Sequence, residues 1–351
     1  MLRAASMLAA ALLLAGAAAA LCVQFNTPLP WMIGPLFASA AACMLGAPLR
    51  APVQVRCAGQ WAIGTTLGLY FTAPVVATLG SYAGSIALAV LFALALGVAG
   101  GALLQKLSGA DGVTCFFAMA VGGASEMAAQ GERHGAVVER VAAAHSLRIM
   151  LVVATIPLAI RWWGQHGLAA GADLYVAGAD GVHTAGLLLL IALTAAGALL
   201  LMRLDSPNAW VIGPLLVAIA LTAGGVHLSR LPEWMIHLGQ LFIGVALGTR
   251  FTPAFVHTAP RFMASAACCA LLMIVAAAGF GAFLAALAGI NPAVAVLATS
   301  PGGIAEMSLT ARVLRLGVPI VTAFHVTRMV TVVMLIGPLY RASAAWRMQR
   351  K

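Results

Sequence analysis

The sequence predicts an all-α polytopic membrane protein made of two homologous, inverted repeats. It would have about ten spanning helices plus two glycine-broken or re-entrant ones. Three observations carry that prediction. Of the 351 residues, 63% are hydrophobic and 8% charged, where soluble domains carry roughly 25% charged residues. Apolar runs near the length of about 20 residues needed to cross a bilayer follow one another along the whole chain. Finally, Val121-Gly122-Gly123-Ala124-Ser125-Glu126-Met127 returns far downstream as Pro301-Gly302-Gly303-Ile304-Ala305-Glu306-Met307.

Six apolar elements fall near 5–24, 30–46, 57–74, 82–105, 113–130 and 136–160, and six more near 183–202, 209–226, 235–250, 262–287, 292–311 and 318–340. The first has the look of a secretory signal, with Arg3, an apolar core and small residues. The run from Thr184 stands in the same place before the second copy and cannot be a signal, so the first element reads as a retained helix. The second elements share Trp31-Met32-Ile33-Gly34-Pro35-Leu36 and Trp210-Val211-Ile212-Gly213-Pro214-Leu215, an architectural motif with an interfacial tryptophan and a proline kink. The third share Gly59-Gln60, Gly64, Gly68 and Phe71-Thr72 with Gly239-Gln240, Gly244, Gly248 and Phe251-Thr252. Asp111 answers Asn291, Glu126 answers Glu306, and His145 with Arg148 answers His325 with Arg328. So many matched glycines, prolines and polar positions in one order mean a tandem duplication. The repeats are assigned to 1–163 and 183–341, with a Gly/Ala-rich linker at 164–182 carrying solvated Asp173 and Asp180, and a basic tail at 342–351.

The fifth element of each half is the poorest spanning candidate, being short, glycine-broken and acidic. Loop charge decides whether it crosses. With half-crossing fifth elements, thirteen Lys and Arg residues lie on the cytoplasmic side and four outside (Arg161, Arg230, Arg312 and Arg315). Full crossing divides them ten to seven. The positive-inside rule prefers the first arrangement, which puts both termini in the cytoplasm and, with five crossings per half, inverts the second repeat. The net charge of +10 therefore reads as loop charge, and no basic cluster with interleaved aromatics suggests direct contact with nucleic acid. The six cysteines sit in apolar runs without ligand spacing and read as small buried hydrophobes.

Inverted repeats with interrupted helices point to a secondary transporter whose site lies at the repeat interface. A double glycine can open a helix, and the half-helix beyond it offers free amides and a partial positive charge. The candidate substrate- or ion-binding residues are Gly122, Gly123, Ser125, Glu126, His145, Arg148, Gly302, Gly303, Glu306, His325, Arg328, Gln60 and Gln240. Most have a plainer alternative. Glu126 and Glu306 fall in the first turn after a break, where a carboxylate caps amides. The His-x-x-Arg pairs share one helical face and either bind an anion or protons, or neutralise the glutamates. Gln60 and Gln240 suit interhelical hydrogen bonds. No catalytic residue and no cofactor are expected. His134, His145, His166, His183, His227, His237, His257 and His325 show neither an i, i+4 pair nor a facial set with a carboxylate. A two-His, two-carboxylate metal site from His145, His325, Glu126 and Glu306 is the remaining metal alternative. The expected partners are the lipid bilayer and a small-molecule or ion substrate, with homo-oligomerisation left open.

The duplicated Trp-x-Ile-Gly-Pro-Leu, Gly-Gly-x-x-Glu-Met and His-x-x-Arg segments resemble the AbrB-type duplicated integral membrane family of bacteria, over nearly the whole chain. The resemblance implies an inner-membrane location and brings the labels ammonia monooxygenase and regulator of gene expression. It brings no established catalytic residues. A chain so deeply embedded would affect transcription only indirectly, and nothing in it resembles the small soluble DNA-binding protein that shares the name.

Overall fold

The computed structural model describes residues 2–165, 181–251, 253 and 259–348, with side chains described over a slightly shorter range. Every regular element in it is helical. The linker acids Asp173 and Asp180, together with His166, Thr252 and His257, lie outside the described residues, as does the end of the basic tail. Among the described residues, six helical stretches are long and apolar enough to cross a membrane: Ser6–Gln24, Ala73–Ser108, Val138–Trp163, Thr184–Arg203, Pro260–Ala288 and Val318–Ala342.

The chain divides by its contacts into two compact units, and each draws segments from both halves of the sequence. The first comprises Met1–Ser81, Val153–Phe255 and Ala305–Thr322. Its helices are α1 (Leu2–Gln24), α2 (Pro30–Met44), α3 (Val53–Gly68), α4 (Ala73–Leu79), the end of α8 (Val138–Gln165), α9 (Thr184–Arg203), α10 (Ala209–Ala223), α11 (Glu233–Gly248) and most of α14 (Ile304–Val313). The sequence placed one element over 57–74. In the structure that helix stops at Gly68, and α4, which the sequence reading lacked, starts with Pro74 in its first turn.

Small residues hold this unit together. A Cβ on Gly64 would run into the Val211 carbonyl, and one on Gly68 would meet Leu215 and Ala218, so α3 lies directly on α10. Gly244 and Gly248 of α11 meet Met32, Leu36 and Ser39 of α2 in the same way. Gly34 sits against the backbone of Ala18 and Ala19 in α1, and Gly213 against Gly197 in α9. The Ile-Gly-Pro motif thus serves backbone approach, the usual source of helix association where lipid competes for apolar contact. Ala11, Ala15 and Ala19 of α1 are fully buried. Polar pairs fix the registers: Gln60 Nε2 donates to Asn208 Oδ1 at 2.9 Å, Trp61 Nε1 to Thr194 Oγ1 at 3.0 Å, and Trp31 stacks on His237. With 15 or 16 residues each, α2, α3, α10 and α11 rise only about 24 Å, less than the roughly 30 Å hydrocarbon core.

The second unit comprises Tyr82–Val152, Val256–Ile304 and Ala323–Lys351. It holds α5 (Ala83–Ser108), α6 (Gly112–Met119), α7 (Ala124–Arg133), the start of α8, α12 (Pro260–Ala288), α13 (Pro292–Thr299) and most of α15 (Val318–Met348). Glycine again sets the spacing: Gly97 and Gly101 bring α5 onto Ala120 and Phe116, and Gly281 brings α12 onto Val296 and Thr299. Phe92 of α5 stacks on Phe280 of α12. Phe116, Phe117, Ala120, Met127, Val141, Val332 and Ile336 form one core, so α15 packs on the first broken helix. Cys43, Cys115 and Cys269 are buried free thiols, whereas Cys22 and Cys57 are half-buried and Cys268 is exposed, contrary to the buried reading of all six.

Candidate functional site

The two fifth elements are broken at the glycines. The α6 helix stops at Met119, Ala120 to Gly123 are non-helical, and α7 starts at Ala124. Likewise α13 stops at Thr299, and α14 starts at Ile304. Each short leading helix is capped by its own side chain: Asp111 Oδ1 accepts from Thr114 N at 2.7 Å, and Asn291 Oδ1 from Ala293 N at 2.9 Å. That explains why Asp and Asn are matched at these positions.

A helix that stops inside a protein leaves its last carbonyls without partners. Here the His-x-x-Arg pairs supply them. His145 Nε2 donates to Phe117 O at 2.9 Å. Arg148 Nη1 donates to Ala120 O at 2.9 Å and Met119 O at 3.3 Å, and Nη2 reaches Gly122 O at 3.5 Å. Arg148 Nη2 also donates to His145 Nδ1 at 3.0 Å. These two contacts fix the imidazole as the neutral Nε2–H tautomer. In the second copy His325 Nε2 donates to Leu297 O at 2.9 Å, while Arg328 Nη1 and Nη2 donate to the Ser300 and Gly302 carbonyls. Both guanidiniums are buried and sit at the negative ends of helix dipoles, where a cation is favoured. Unlike His145 Nδ1, which accepts from Arg148, His325 Nδ1 has no partner among the described residues.

The acids behave differently. Glu126 is the third residue of α7, and its carboxylate folds back over Gly123, occupying the space a Cβ there would need, with Ser125 Oγ donating to it at 3.3 Å. That is the position from which a glutamate serves the amides of its own helix start. Glu126 belongs to the second unit and Glu306 to the first. Glu306 is 8% exposed, and the charges of Arg56 and Arg250, in the same unit, act on it. By the positive-inside rule these two arginines fall in cytoplasmic loops. Their signal, one before Gly59-Gln60 and one after Gly248, was present but lay far from the Glu306 motif.

Residues 31–344 match the family described as "Transition state regulatory protein AbrB". The chain belongs to the AbrB family. Within it, the chain is similar to "Uncharacterized protein YhjN" of Bacillus subtilis (strain 168), at 26% identity over 331 residues, covering 89% of this chain and 86% of that protein. It is likewise similar to "Putative regulator AbrB" of Escherichia coli (strain K12), at 26% identity over 315 residues and 89% of each chain. The AbrB-family chain thus gathers Gly122, Gly123, Ser125, Glu126, His145, Arg148, Gly302, Gly303, His325 and Arg328 into its second unit, and Gln60, Gln240 and Glu306 into its first. Gln240 is buried, and Gln60 makes the interhelical bond described above. The helix-end carbonyls that hold these His and Arg side chains carry no residue signature in the sequence, because they are backbone acceptors. Among the described residues no three of His, Cys, Asp and Glu come close enough together to hold a metal ion.

Proposed function

We propose that this AbrB-family protein is a secondary transporter or exporter of a small solute, residing in the bacterial inner membrane with both termini in the cytoplasm. In this reading the chain is a duplicated pair of inverted repeats with about ten crossings. The solute binds at the broken helices, close to their backbone polar groups. The observation that carries the proposal is the doubled break with its doubled His–Arg support. Non-helical backbone at membrane depth is tolerated where it is buried in protein or lines a cavity. A protein with a purely anchoring role has no need of two such costly interruptions. Intramembrane ionisable groups are functional candidates for the same reason. The test is solute or proton flux in proteoliposomes. Glu126→Gln abolishes coupling while the protein still folds; unchanged flux in the Glu126→Gln, Glu306→Gln double variant refutes the proposal.

The names given to the family and to the Escherichia coli relative favour a second reading, a membrane sensor that acts on gene expression indirectly through the same site. Ligand binding without any flux, together with capture of a defined protein partner by the full-length chain, selects that reading. For an oxygenase, the third reading, stoichiometric copper or iron in purified protein is the required observation.

A further inference from the structure

We propose, building on the transporter reading, that Arg148 and Arg328 together bind the solute and that the solute is a small anion, a carboxylate or oxyanion. Both residues lie in the second unit, which also contains both breaks. They are brought near each other by packing. Val332, one turn beyond Arg328, shares a core with Ala120, whose carbonyl accepts from Arg148.

The charge balance around the pair is positive. Four acids fall in this unit: Asp111, Glu126, Glu132 and Glu139. Asp111, Glu132 and Glu139 are exposed, and Asp111 caps the far end of α6. Glu126 turns its carboxylate onto Gly123 and Ser125, at the positive end of α7. The carbonyl ends of α6 and α13 contribute about half a negative charge each, which offsets about one of the two guanidinium charges. About one positive charge is left in a desolvated place, an expensive condition unless an anion completes it.

The donors left over fit such an anion. Each arginine uses its Nη atoms on the break carbonyls, while Arg148 Nε and Arg328 Nε are buried with no partner among the described residues. With exposures of 2% and 6%, both are shielded from bulk water. Guanidinium is suited to the task because it is weakly hydrated and permanently charged, and with its Nη atoms held by the break carbonyls each Nε–H keeps a fixed direction as a charge-assisted donor. A cation as the solute at this point would face repulsion from both arginines.

The experiment uses the full-length protein purified in detergent. Sodium acetate, hydrogen carbonate, phosphate and sulfate are each titrated at constant ionic strength against a bulky organic sulfonate, and the apparent Tm is read. A ligand of the folded state raises Tm saturably. At least one of the four anions does so, and replacing sodium by potassium changes nothing. Arg328→Lys keeps the charge but loses the directed guanidinium N–H donors: it lowers the anion-free Tm, because a break carbonyl loses its donor, and it also weakens the anion's Kd about tenfold. Arg148→Lys provides the same comparison should Arg328→Lys fail to fold, and Arg312→Lys leaves the Kd unchanged. A merely structural role would lower the anion-free Tm and leave the Kd alone. The proposal is overturned if none of the four anions gives a saturable rise, if the rise follows the cation, or if the Kd is the same in both lysine variants and the parent. Should neither lysine variant fold, mutual competition among labelled and unlabelled anions for the parent protein supports the site, and failure to compete overturns it. Anion binding without flux in proteoliposomes removes the transporter reading and leaves the site. Flux that no anion affects removes the site and leaves the transporter.

Discussion

His145 and His325 occupy matched places but are not energetically equal, and truncating each to alanine tests the geometry. Both side chains are fully buried, and each Nε2 satisfies one carbonyl of a helix end at 2.9 Å. The orphaned carbonyl and the lost packing together cost about 2–4 kcal/mol in either variant. His145 does one thing more, accepting an N–H from Arg148 at 3.0 Å. A hydrogen bond to a charged group contributes about 1.5–3 kcal/mol. His145→Ala therefore lowers stability by about 1.5–3 kcal/mol more than His325→Ala does. The assay is denaturant unfolding of the detergent-solubilised protein at about pH 8, where imidazole is neutral, with unfolding free energies extrapolated linearly. Equal losses, or a larger loss for His325→Ala, would refute the assigned tautomer and the Arg148–His145 bond.

Two further perturbations separate packing from decoration. Gly64→Ala places a Cβ on the Val211 backbone, whereas Gly279→Ala meets nothing within 4 Å. The first destabilises by about 1–3 kcal/mol and the second leaves Tm unchanged or slightly raised, which thermal unfolding of the two variants checks. Glu233→Gln breaks the ion pair to Arg312 at 2.6 Å, but with the Glu233 side chain 59% exposed the loss stays below about 1 kcal/mol; a fall of several °C in Tm would contradict that.

Much of this was legible beforehand because the signals are local. Apolar runs bounded by Gly, Pro and Asn marked the helices to within a few residues, and the double glycines marked where α6 and α13 end. Matched Asp111 and Asn291 could be paired from sequence, though their role as caps needed the backbone. What stayed hidden depends on partners distant in the chain. Sequence offered the glutamates as counter-charges for Arg148 and Arg328, yet the structure gives both arginines backbone carbonyls, which no side-chain pattern encodes. The sequence halves are likewise not the compact units, because which helix face meets which is settled by backbone approach at Gly64, Gly68, Gly244 and Gly248. Arg312 was counted as an outer-loop charge, but its Nε donates to Tyr70 Oη at 3.1 Å, a contact separated by most of the sequence.

The exchange of partners in the first unit has a bearing on biogenesis. The glycine face of α3 is covered by α10, and α2 receives the glycine face of α11; both partners leave the ribosome far later. Until then the early helices sit in the bilayer with their tightest contact surfaces unmatched, and closing so long a loop is a slow step. Assembly must therefore wait for translation of α11 to finish. A ribosome stalled before that point would strand an immature chain that quality-control proteases can recognise, and two fragments severed between α8 and α9 should complement one another when made in the same cell.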